Sequence, residues 1–343
     1  MATSNDVARL AGVSRSTVSR TLSDSPRVNE ATKARVRKAV AALGYEPDLA
    51  ARSLVNQRSR TIALAFGGGS WPFSDLSGLN NLFYLSVLRE IERAAAEHEF
   101  DLLLPPEPGG PSGTGYLRRL RAHKAAGVIL RARPHDPRAI ALIDAGEPVV
   151  LIDSGGVEDR CTQVRSDNTA ATHQLTEHLI SLGHRRIAVI AGPLDDPMCI
   201  DRLAGVRQAL ARAAIPEDPD LIKVADWSIE GGYSVVRQLL HDGVDFTAVA
   251  AQSDIMAIGA MRALDEQGRR VPDDVSVCGF DDLEFAAFTN PPLTTARQDA
   301  AGMGRTALTA LVARIENPDA RPEAIVLPVR LVVRASTGPA SRV

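Results

Sequence analysis

Cysteines and long apolar runs are scarce in this chain of 343 residues. The three cysteines, Cys161, Cys199 and Cys278, have neither the spacing of a metal site nor that of a disulfide framework, so we expect free thiols in a reducing compartment. No run approaches the roughly 20 apolar residues of a membrane span, and no apolar export signal follows Met1. We therefore expect a soluble, cytoplasmic protein that binds neither metal nor membrane.

Signatures of the common enzyme classes are missing as well. The glycines at 67–69 lack the spacing of a phosphate loop, no Lys-Ser or Lys-Thr pair follows them, and no nucleophile elbow occurs. His173 and His178 share a predicted helix, but a separation of five residues places them poorly for binding one metal ion. The sequence therefore predicts no cofactor and no catalytic residues.

Positive charge is concentrated at one end of the chain. Residues 1–60 contain 11 lysines and arginines against 5 aspartates and glutamates, whereas the remaining residues contain 28 against 37. A basic segment attached to an acidic body favours a polyanionic partner for the basic segment alone.

Residues 5–22 have the pattern of two short helices joined by a tight turn. In the first helix Val7, Leu10 and Ala11 recur at the spacing of one buried face. Gly12 allows the chain to reverse, and a serine at position 14 can cap the second helix. This is the geometry that delivers a helix into the major groove of DNA.

The second of these helices directs Val18 inward. Ser16 and Arg20 lie two residues to either side, and therefore on the opposite face of the helix. An amphipathic helix pair with merely solvated arginines is the alternative interpretation. A third predicted helix, from about Glu30 to Leu43 and capped by Asn29, completes a three-helix unit and favours DNA binding.

The rest of the chain has a different pattern. Residues 46–60 predict a hinge that becomes helical only when held, because the segment is too short to be a stable helix alone. From Thr61 onward eleven predicted strands, among them 127–131 and 324–334, alternate with amphipathic helices, which predicts parallel sheets covered on both faces. So many strands favour two doubly wound subdomains, with a ligand crevice between them.

Short motifs then recur in order along nearly the whole chain. They include Thr17-Val18-Ser19-Arg20, Leu43-Gly44-Tyr45, Gly183-His184-Arg185-Arg186-Ile187, Asp254-Ile255-Met256-Ala257-Ile258-Gly259 and Gly279-Phe280-Asp281-Asp282. With these motifs the chain resembles the lactose-repressor (LacI/GalR) family of bacterial transcription regulators. The resemblance implies an all-α helix-turn-helix DNA-binding head and an α/β core of two subdomains, similar to periplasmic binding proteins.

Four regions are expected on this basis. They are a helix-turn-helix DNA-binding domain at 1–45, a hinge helix and linker at 46–60, an N-terminal core subdomain at 61–160 with 291–321, and a C-terminal core subdomain at 161–290 with 322–343. One head buries too little surface for tight specific binding, so we expect a homodimer on a palindromic double-stranded operator. The last residues, 335–343, lack the leucine repeat by which some relatives form tetramers.

The resemblance also assigns residues of the DNA-binding end. Arg15, Ser16 and Arg20 fall at base-reading positions, which suits the bidentate pairing of arginine with guanine. Phosphate contacts are expected from Thr3, Ser14, Thr17 and Ser19. Ala51 and Leu54 align with the hinge pair that enters the minor groove, where an apolar wedge bends the duplex. The alternative for Leu54 is packing on its own domain.

Eight residues are predicted to bind an effector in the crevice between the subdomains. They are Trp71, Phe83, Asp153, Arg202, Trp227, Asp254, Asp281 and Gln298. By resemblance, Asp281 and Arg202 contact the effector, and carboxylate with guanidinium suits vicinal hydroxyls. Trp227 aligns with a stacking aromatic residue, with a core tryptophan as the alternative, and Asp254 could instead cap a helix.

The loop at 67–84 is longer than the family pattern. Its aromatic residues Trp71 and Phe73 would form a wall of the crevice, or else cover the surface or the dimer seam.

The expected effector is a neutral mono- or disaccharide. Aromatic faces beside paired aspartate and arginine suit a sugar, and the acidic and apolar run Asp195-Asp196-Pro197-Met198 disfavours a purine or phosphorylated ligand. The predicted function is a repressor whose operator binding depends on this sugar. The alternatives are a cytoplasmic sugar-binding protein without a role in DNA regulation, and a nucleoside or purine as effector.

Overall fold

The structure is a computed structural model. In it the chain forms two compact units, one up to Ser59 and one from Arg60. It describes residues 2–22, 25–45, 60–66, 82–105, 113–155 and 159–341. Most of the predicted hinge, with Ala51 and Leu54, lies outside the described residues, as do Trp71 and Phe73. Within the described ranges, no helix is both long enough and apolar enough to cross a membrane.

The described residues of the first unit form three helices. They are α1 (Ser4–Ala11), α2 (Arg15–Leu22) and α3 (Glu30–Leu43). Gly12 ends α1 in the left-handed conformation, with φ of 64°, where a side chain would be strained. Asn29 caps α3 as predicted, because its side chain accepts a hydrogen bond from the Thr32 amide at 2.8 Å.

The core of this unit differs from the predicted one in the first helix. Val7, Val18 and Val36, one from each helix, are buried together. Leu10, predicted to share the face of Val7, is 57% exposed, and Ala8 is buried instead. Because α1 packs against both other helices, its buried face is rotated toward Ala8 and away from Leu10.

The N-terminal subdomain of the second unit is built on a six-stranded parallel sheet. Its strands are β1 (Thr61–Ala65), β2 (Asp101–Leu103), β3 (Gly127–Leu130), β4 (Val149–Ile152), β5 (Thr162–Ser166) and β11 (Ala324–Leu327), in the order β11-β5-β4-β3-β1-β2. Among the described residues of this subdomain, the α-helices are α4 (Leu82–Glu97), α5 (Gly113–Ala122), α6 (Pro137–Asp144) and α11 (Ala300–Glu316).

Successive side chains of β1 point to opposite faces of the sheet, and they show why helices cover both faces. Ile62 and Leu64 belong to the apolar cluster that α4 and α11 complete. Ala63 and Ala65 belong to the cluster on the other face, formed with α5 and α6. Successive side chains of a strand point to opposite faces, so a strand buried on both faces is apolar throughout.

The C-terminal subdomain repeats this plan with four parallel strands. They are β6 (Ile187–Ala191), β7 (Ile222–Val224), β8 (Ala248–Ala251) and β9 (Ser276–Cys278), in the order β7-β6-β8-β9. Its faces are covered by α7 (Asn168–Ser181) and α8 (Pro197–Arg212) on one side, and by α9 (Ile229–His241) and α10 (Asp254–Glu266) on the other. The prediction of two doubly wound sheets is confirmed.

Three connections link the two subdomains. The chain leaves the six-stranded sheet after β5, returns to that subdomain at α11, and leaves it again after β11. Strands β10 (Thr295–Arg297) and β12 (Arg330–Val332), which lie in the last two connections, pair antiparallel in a sheet of their own.

Two of the predicted boundaries between the core subdomains are wrong. Strand β5, expected in the C-terminal subdomain, pairs with β4, so the first crossing follows Ser166 rather than residue 160. The single strand predicted over 324–334 is two strands in different sheets, and β11 belongs to the N-terminal subdomain. Pro328 separates them, because proline has no amide hydrogen with which to continue a ladder.

Candidate functional site

Helix α2 presents the predicted base-reading residues on an open face. Arg15, Ser16 and Arg20 are exposed, whereas Val18 is buried against α1 and α3. Ser14 caps this helix as predicted, because its Oγ accepts from the Thr17 amide at 3.1 Å. A fixed helix with hydroxyl and guanidinium groups on its outer face can enter a DNA groove.

The predicted phosphate contacts lie mainly at the starts of α1 and α2. Thr3 forms a capping box with Asp6, in which the Asp6 amide donates to Thr3 Oγ1 at 3.4 Å and the Thr3 amide donates to Asp6 Oδ2 at 2.9 Å. Ser14 Oγ lies 2.9 Å from Thr17 Oγ1, and Ser19 is exposed further along α2. Helix N-termini carry partial positive charge and unpaired amide groups, which suits phosphate oxygens.

A cleft lies between the two subdomains. Its lining residues are Phe83, Tyr84, Arg131, Met198, Arg202, Trp227, Ser253, Ile255, Asp281, Leu283 and Gln298. Five of the eight predicted effector residues are among them, namely Phe83, Arg202, Trp227, Asp281 and Gln298. The cavity volume of this cleft is about 40 Å³.

Arg202 is held rigidly in this cleft. Its Nε donates to Asn168 Oδ1 at 2.8 Å, and its Nη1 donates to the Gln252 carbonyl oxygen. The guanidinium carbon lies 3.6 Å from the centre of the buried Phe280 ring. Arg202 Nη2 is 3.9 Å from Asp281 Oδ1. These contacts fix the Arg202 guanidinium in place, and its Nη2 donor faces the Asp281 carboxylate.

Two buried aspartates lie near this arginine. Burial raises the pKa of Asp281 to about 7, against the opposing effects of Arg202 and of Gln298, whose Nε2 donates to Asp281 Oδ1 at 2.7 Å. Burial also raises the pKa of Asp153, which lies behind the lining and accepts from the Tyr84 hydroxyl at 3.1 Å. Both carboxyl groups exist in an environment that disfavours their charged form.

Two acceptor atoms at this site are buried without a partner among the described residues. They are Asp153 Oδ1 and Gln298 Oε1. A buried acceptor that lacks a hydrogen bond costs free energy, so a ligand hydroxyl that donated to Gln298 Oε1, which belongs to the cleft lining, would recover it.

The backbone is strained at three of the predicted effector residues. The φ angles of Asp153, Trp227 and Asp281 are 44°, 67° and 116°. Non-glycine residues rarely adopt positive φ, and such strain concentrates at binding sites, where the surrounding fold enforces it.

Trp227 belongs both to the core of the C-terminal subdomain and to the cleft wall. Its indole packs against the C-terminal core cluster and also lines the cleft. Gly192 is required beneath the ring, because a Cβ at that position would lie 2.3 Å from an indole carbon. The Arg202 guanidinium lies 5.8 Å from the ring centre on the cleft side. The indole is thus held in place as part of the cleft wall.

Asp254 was expected in the effector site, and the structure contradicts this. Its carboxylate is fully buried outside the lining, and it accepts from the Leu283 amide at 2.8 Å and from the Thr295 hydroxyl. It does not cap its helix either, since Ser253 is the N-cap residue of α10. Asp254 instead ties the start of α10 to two connecting segments.

Tyr84 and Arg131 are among the six lining residues that sequence analysis did not predict. Arg131 Nε donates to the Tyr84 hydroxyl at 2.9 Å, and Arg131 Nη2 forms an ion pair with Asp196 of the facing subdomain. Arg131 directly follows β3, at the carboxyl end of a parallel strand, where ligands bind. Its position at the end of a predicted strand is visible in the sequence. Tyr84 lies beside Phe83 in a region where the chain departs from the family pattern.

Comparison with known proteins decides the family. The pattern of the "Bacterial regulatory proteins, lacI family" matches residues 3–48, and that of the "Periplasmic binding protein-like domain" matches residues 176–337. The "HTH-type transcriptional regulator CelR" of Thermobifida fusca is 37% identical over 336 residues, which cover 96% of each chain. This chain belongs to the lacI family. It is a DNA-binding transcription regulator, as the sequence motifs predicted.

Solved structures of lacI-family proteins agree with this assignment. A lac repressor dimer bound to operator and the anti-inducer ONPF has a TM-score of 0.85 and 31% identity, over 98% of this chain and 99% of that one. A CelR–cellobiose complex has a TM-score of 0.75 and 35% identity, over 98% of this chain and 100% of that one. The helix-turn-helix head and the core resembling periplasmic binding proteins are therefore those of the lacI family.

Proposed function

We propose that this lacI-family regulator is a repressor whose operator affinity is controlled by a neutral sugar bound between the core subdomains. The observation that carries the proposal is the convergence of Arg202, Asp281 and Trp227 on one cleft. Guanidinium and carboxylate supply donors and acceptors for vicinal hydroxyls, while the indole and the Phe83 ring supply apolar faces. A relative 35% identical to this chain was solved with cellobiose, which supports a sugar.

The operator is proposed to be a palindromic duplex bound by a homodimer. Arg15, Ser16 and Arg20 would read bases, and Thr3, Ser14, Thr17 and Ser19 would hold phosphates. Exposure of the outer face of α2 supports these roles. The hinge at 46–60, with Ala51 and Leu54, would order on the minor groove.

Control requires that the sugar distinguish two arrangements of the subdomains. A ligand shifts a conformational equilibrium only by its difference in affinity for the two states. Because the cleft residues come from both subdomains, a bound sugar would contact both and favour one degree of closure. The proposed consequence is a change in how the two hinges of a dimer meet the operator.

The remaining expectations follow from this role. We propose that the protein acts in the cytoplasm, where its operator is found, and that it is not an enzyme. The cleft supports this view, because its carboxylates are tied to arginine, tyrosine and glutamine side chains.

The test is a fluorescence titration with cellobiose, D-ribose and other neutral sugars. The chain has two tryptophans, so the Trp71→Phe variant reports Trp227 alone. A saturable change in emission is expected with one sugar. Arg202→Lys should weaken the binding of that sugar at least tenfold, because lysine lacks the planar guanidinium with its paired N–H donors. Unchanged emission across the panel, in protein that still binds a specific operator, would refute the sugar site.

A further inference from the structure

The effector-site residue Asp281 lies in a turn that has two residues with positive φ in succession. The φ angles of Asp281 and Asp282 are 116° and 55°, although neither residue is glycine. Residues in such conformations persist only where the surrounding structure enforces them, and they concentrate at binding sites. The contacts that enforce this turn therefore decide where the Asp281 carboxylate is placed.

Asp282 is held by two arginines. Its side chain is 5% exposed, and its two carboxylate oxygens have different partners. Oδ2 accepts from Arg297 Nε at 2.5 Å, and Oδ1 accepts from Arg334 Nη2 at 2.6 Å. Arg297 ends β10 and Arg334 closely follows β12, so one carboxylate ties the turn to both of these paired strands. We call Asp282, Arg297 and Arg334 the arginine clamp.

Arg334 is the more firmly anchored arginine of the clamp. Its Nη1 donates to the Leu293 carbonyl oxygen at 2.7 Å, and its backbone amide donates to the Thr294 hydroxyl at 2.9 Å. Its side chain is 18% exposed, whereas that of Arg297 is 57% exposed. Exposed ion pairs contribute little, while loss of one partner of a buried pair leaves an uncompensated charge. The pair of Asp282 with Arg334 therefore contributes more to the clamp than the pair with Arg297.

The clamp acts on the turn that presents Asp281 to the cleft. The Asp281 amide donates to the Ala296 carbonyl oxygen at 2.9 Å. The Leu283 amide donates to Asp254 Oδ2 at 2.8 Å, so the backbone is bonded on both sides of Asp282. Asp281 lines the cleft, whereas Asp282 does not belong to the described lining. Asp282 would therefore affect a ligand through the position of its neighbour.

We propose that Asp282 is a positioning residue for the effector site, because the arginine clamp fixes the turn from which the Asp281 carboxylate faces Arg202. The inference rests on the proposed function, in which Asp281 accepts hydrogen bonds from sugar hydroxyls. Loss of the Asp282 charge frees the turn and allows the Asp281 carboxylate to leave its place. Sugar binding then weakens although no group that touches the sugar has been removed.

The first measurement is hydrogen–deuterium exchange of the full-length protein without sugar. Asp282→Asn keeps a residue that tolerates positive φ but removes the charge shared by the two arginines. The amides of the turn at 279–283 should exchange at least about threefold faster, while those of strand β8 keep their rate. Glu284→Gln is the matched control, because it removes an exposed carboxylate just beyond the turn, and no change is expected.

The second measurement is the tryptophan titration with cellobiose, D-ribose and other neutral sugars, in Trp71→Phe protein. Asp282→Asn should weaken binding of the sugar at least about tenfold, and Arg334→Gln should weaken it more than Arg297→Gln. In Asp281→Asn protein, the further change Asp282→Asn should add nothing, since no carboxylate remains to be positioned. A general loss of structure would instead add to the effect of Asp281→Asn.

Three outcomes would overturn the proposal. The turn exchanges in Asp282→Asn as it does in the parent, or Glu284→Gln speeds its exchange equally, or the losses of sugar affinity add in the double variant. If no sugar binds the parent, the proposed function fails and exchange alone decides: acceleration confined to the turn supports the clamp, and parental rates contradict it. Should Asp282→Asn not fold, Arg334→Gln replaces it in both measurements, with the same expected and contradicting results.

Discussion

Asp281 Oδ1 lies 3.9 Å from Arg202 Nη2, yet burial raises the pKa of this aspartate to about 7. The nearby cation does not fully offset the cost of removing the carboxylate from water. Asp281 also has a φ of 116°, a second cost at the same residue. Both costs are expected at a residue that is retained for binding rather than for stability.

The first prediction concerns the pH dependence of stability in Asp281→Asn. The pKa of Asp281 is raised in the folded protein, so its contribution favours folding below about pH 4 and is lost as the pH rises through 7. Asparagine does not titrate and tolerates positive φ. The difference in Tm between variant and wild type should therefore be more positive at pH 8 than at pH 5. The pH dependence cannot exceed about 1.4 kcal/mol per pH unit.

Differential scanning calorimetry at the two pH values, without sugar, measures this difference. If the Tm of Asp281→Asn changes with pH as the wild-type Tm does, the raised pKa of Asp281 is contradicted. The same substitution should weaken sugar binding, which separates its effect on function from its effect on stability.

The second prediction compares two apolar side chains of the head. Val18→Ala should destabilise this unit by about 1–3 kcal/mol, because the side chain is 1% exposed among Val7 and Val36. Leu10→Ala should change stability by less than about 0.5 kcal/mol, because Leu10 is 57% exposed. Thermal unfolding followed by circular dichroism tests both, and equal losses would mean that Leu10 is buried.

The third prediction separates base reading from general attraction to DNA. Arg20→Ala should lower the ratio of operator to non-specific affinity by about 1–3 kcal/mol, as expected for loss of a base contact. Lys38→Ala, which removes an exposed charge on α3, should weaken both kinds of binding alike. Electrophoretic mobility shifts with an operator selected from genomic fragments provide the measurement. A uniform loss for Arg20→Ala would make it a phosphate contact.

The fourth prediction concerns the hinge. Leu54→Ala should weaken operator binding while leaving sugar affinity nearly unchanged, because the side chain is proposed to act only as a wedge in the minor groove. Fluorescence anisotropy with operator and tryptophan emission with sugar give the two affinities. Parallel loss of both would support the alternative that Leu54 packs on its own domain.

Periodic features of the sequence were sufficient for the elements and for much of the cleft. The alternation of strands and helices predicted two sheets, and residues at strand ends such as Asp281 and Gln298 were correctly expected in the crevice. Arg131 satisfies the same rule, but a single arginine after a strand is usually solvated, so the sequence alone does not distinguish it. Its significance depends on Asp196, which lies 65 residues away in the sequence.

Partners distant in the sequence also explain the errors. Asp254 is titratable and begins a helix, as a binding residue would, but its oxygens bond to Leu283 and Thr295. Strand β5 joined the N-terminal sheet because its pairing partner is β4, and apolar content does not encode strand order. Local patterns specify faces and ends of elements, whereas partners across the fold are set by topology.

A sugar bound in the core cleft is expected to change DNA binding by the head. The most direct test is fluorescence anisotropy of a selected operator duplex, titrated with protein over a range of salt concentrations, with and without cellobiose or another sugar found by the tryptophan assay. We predict that operator affinity falls steeply as the salt concentration rises. We also predict that the sugar changes operator affinity at least tenfold, and that Arg202→Lys abolishes this change. If no genomic fragment is preferred over bulk competitor DNA, with or without sugar, the account is contradicted.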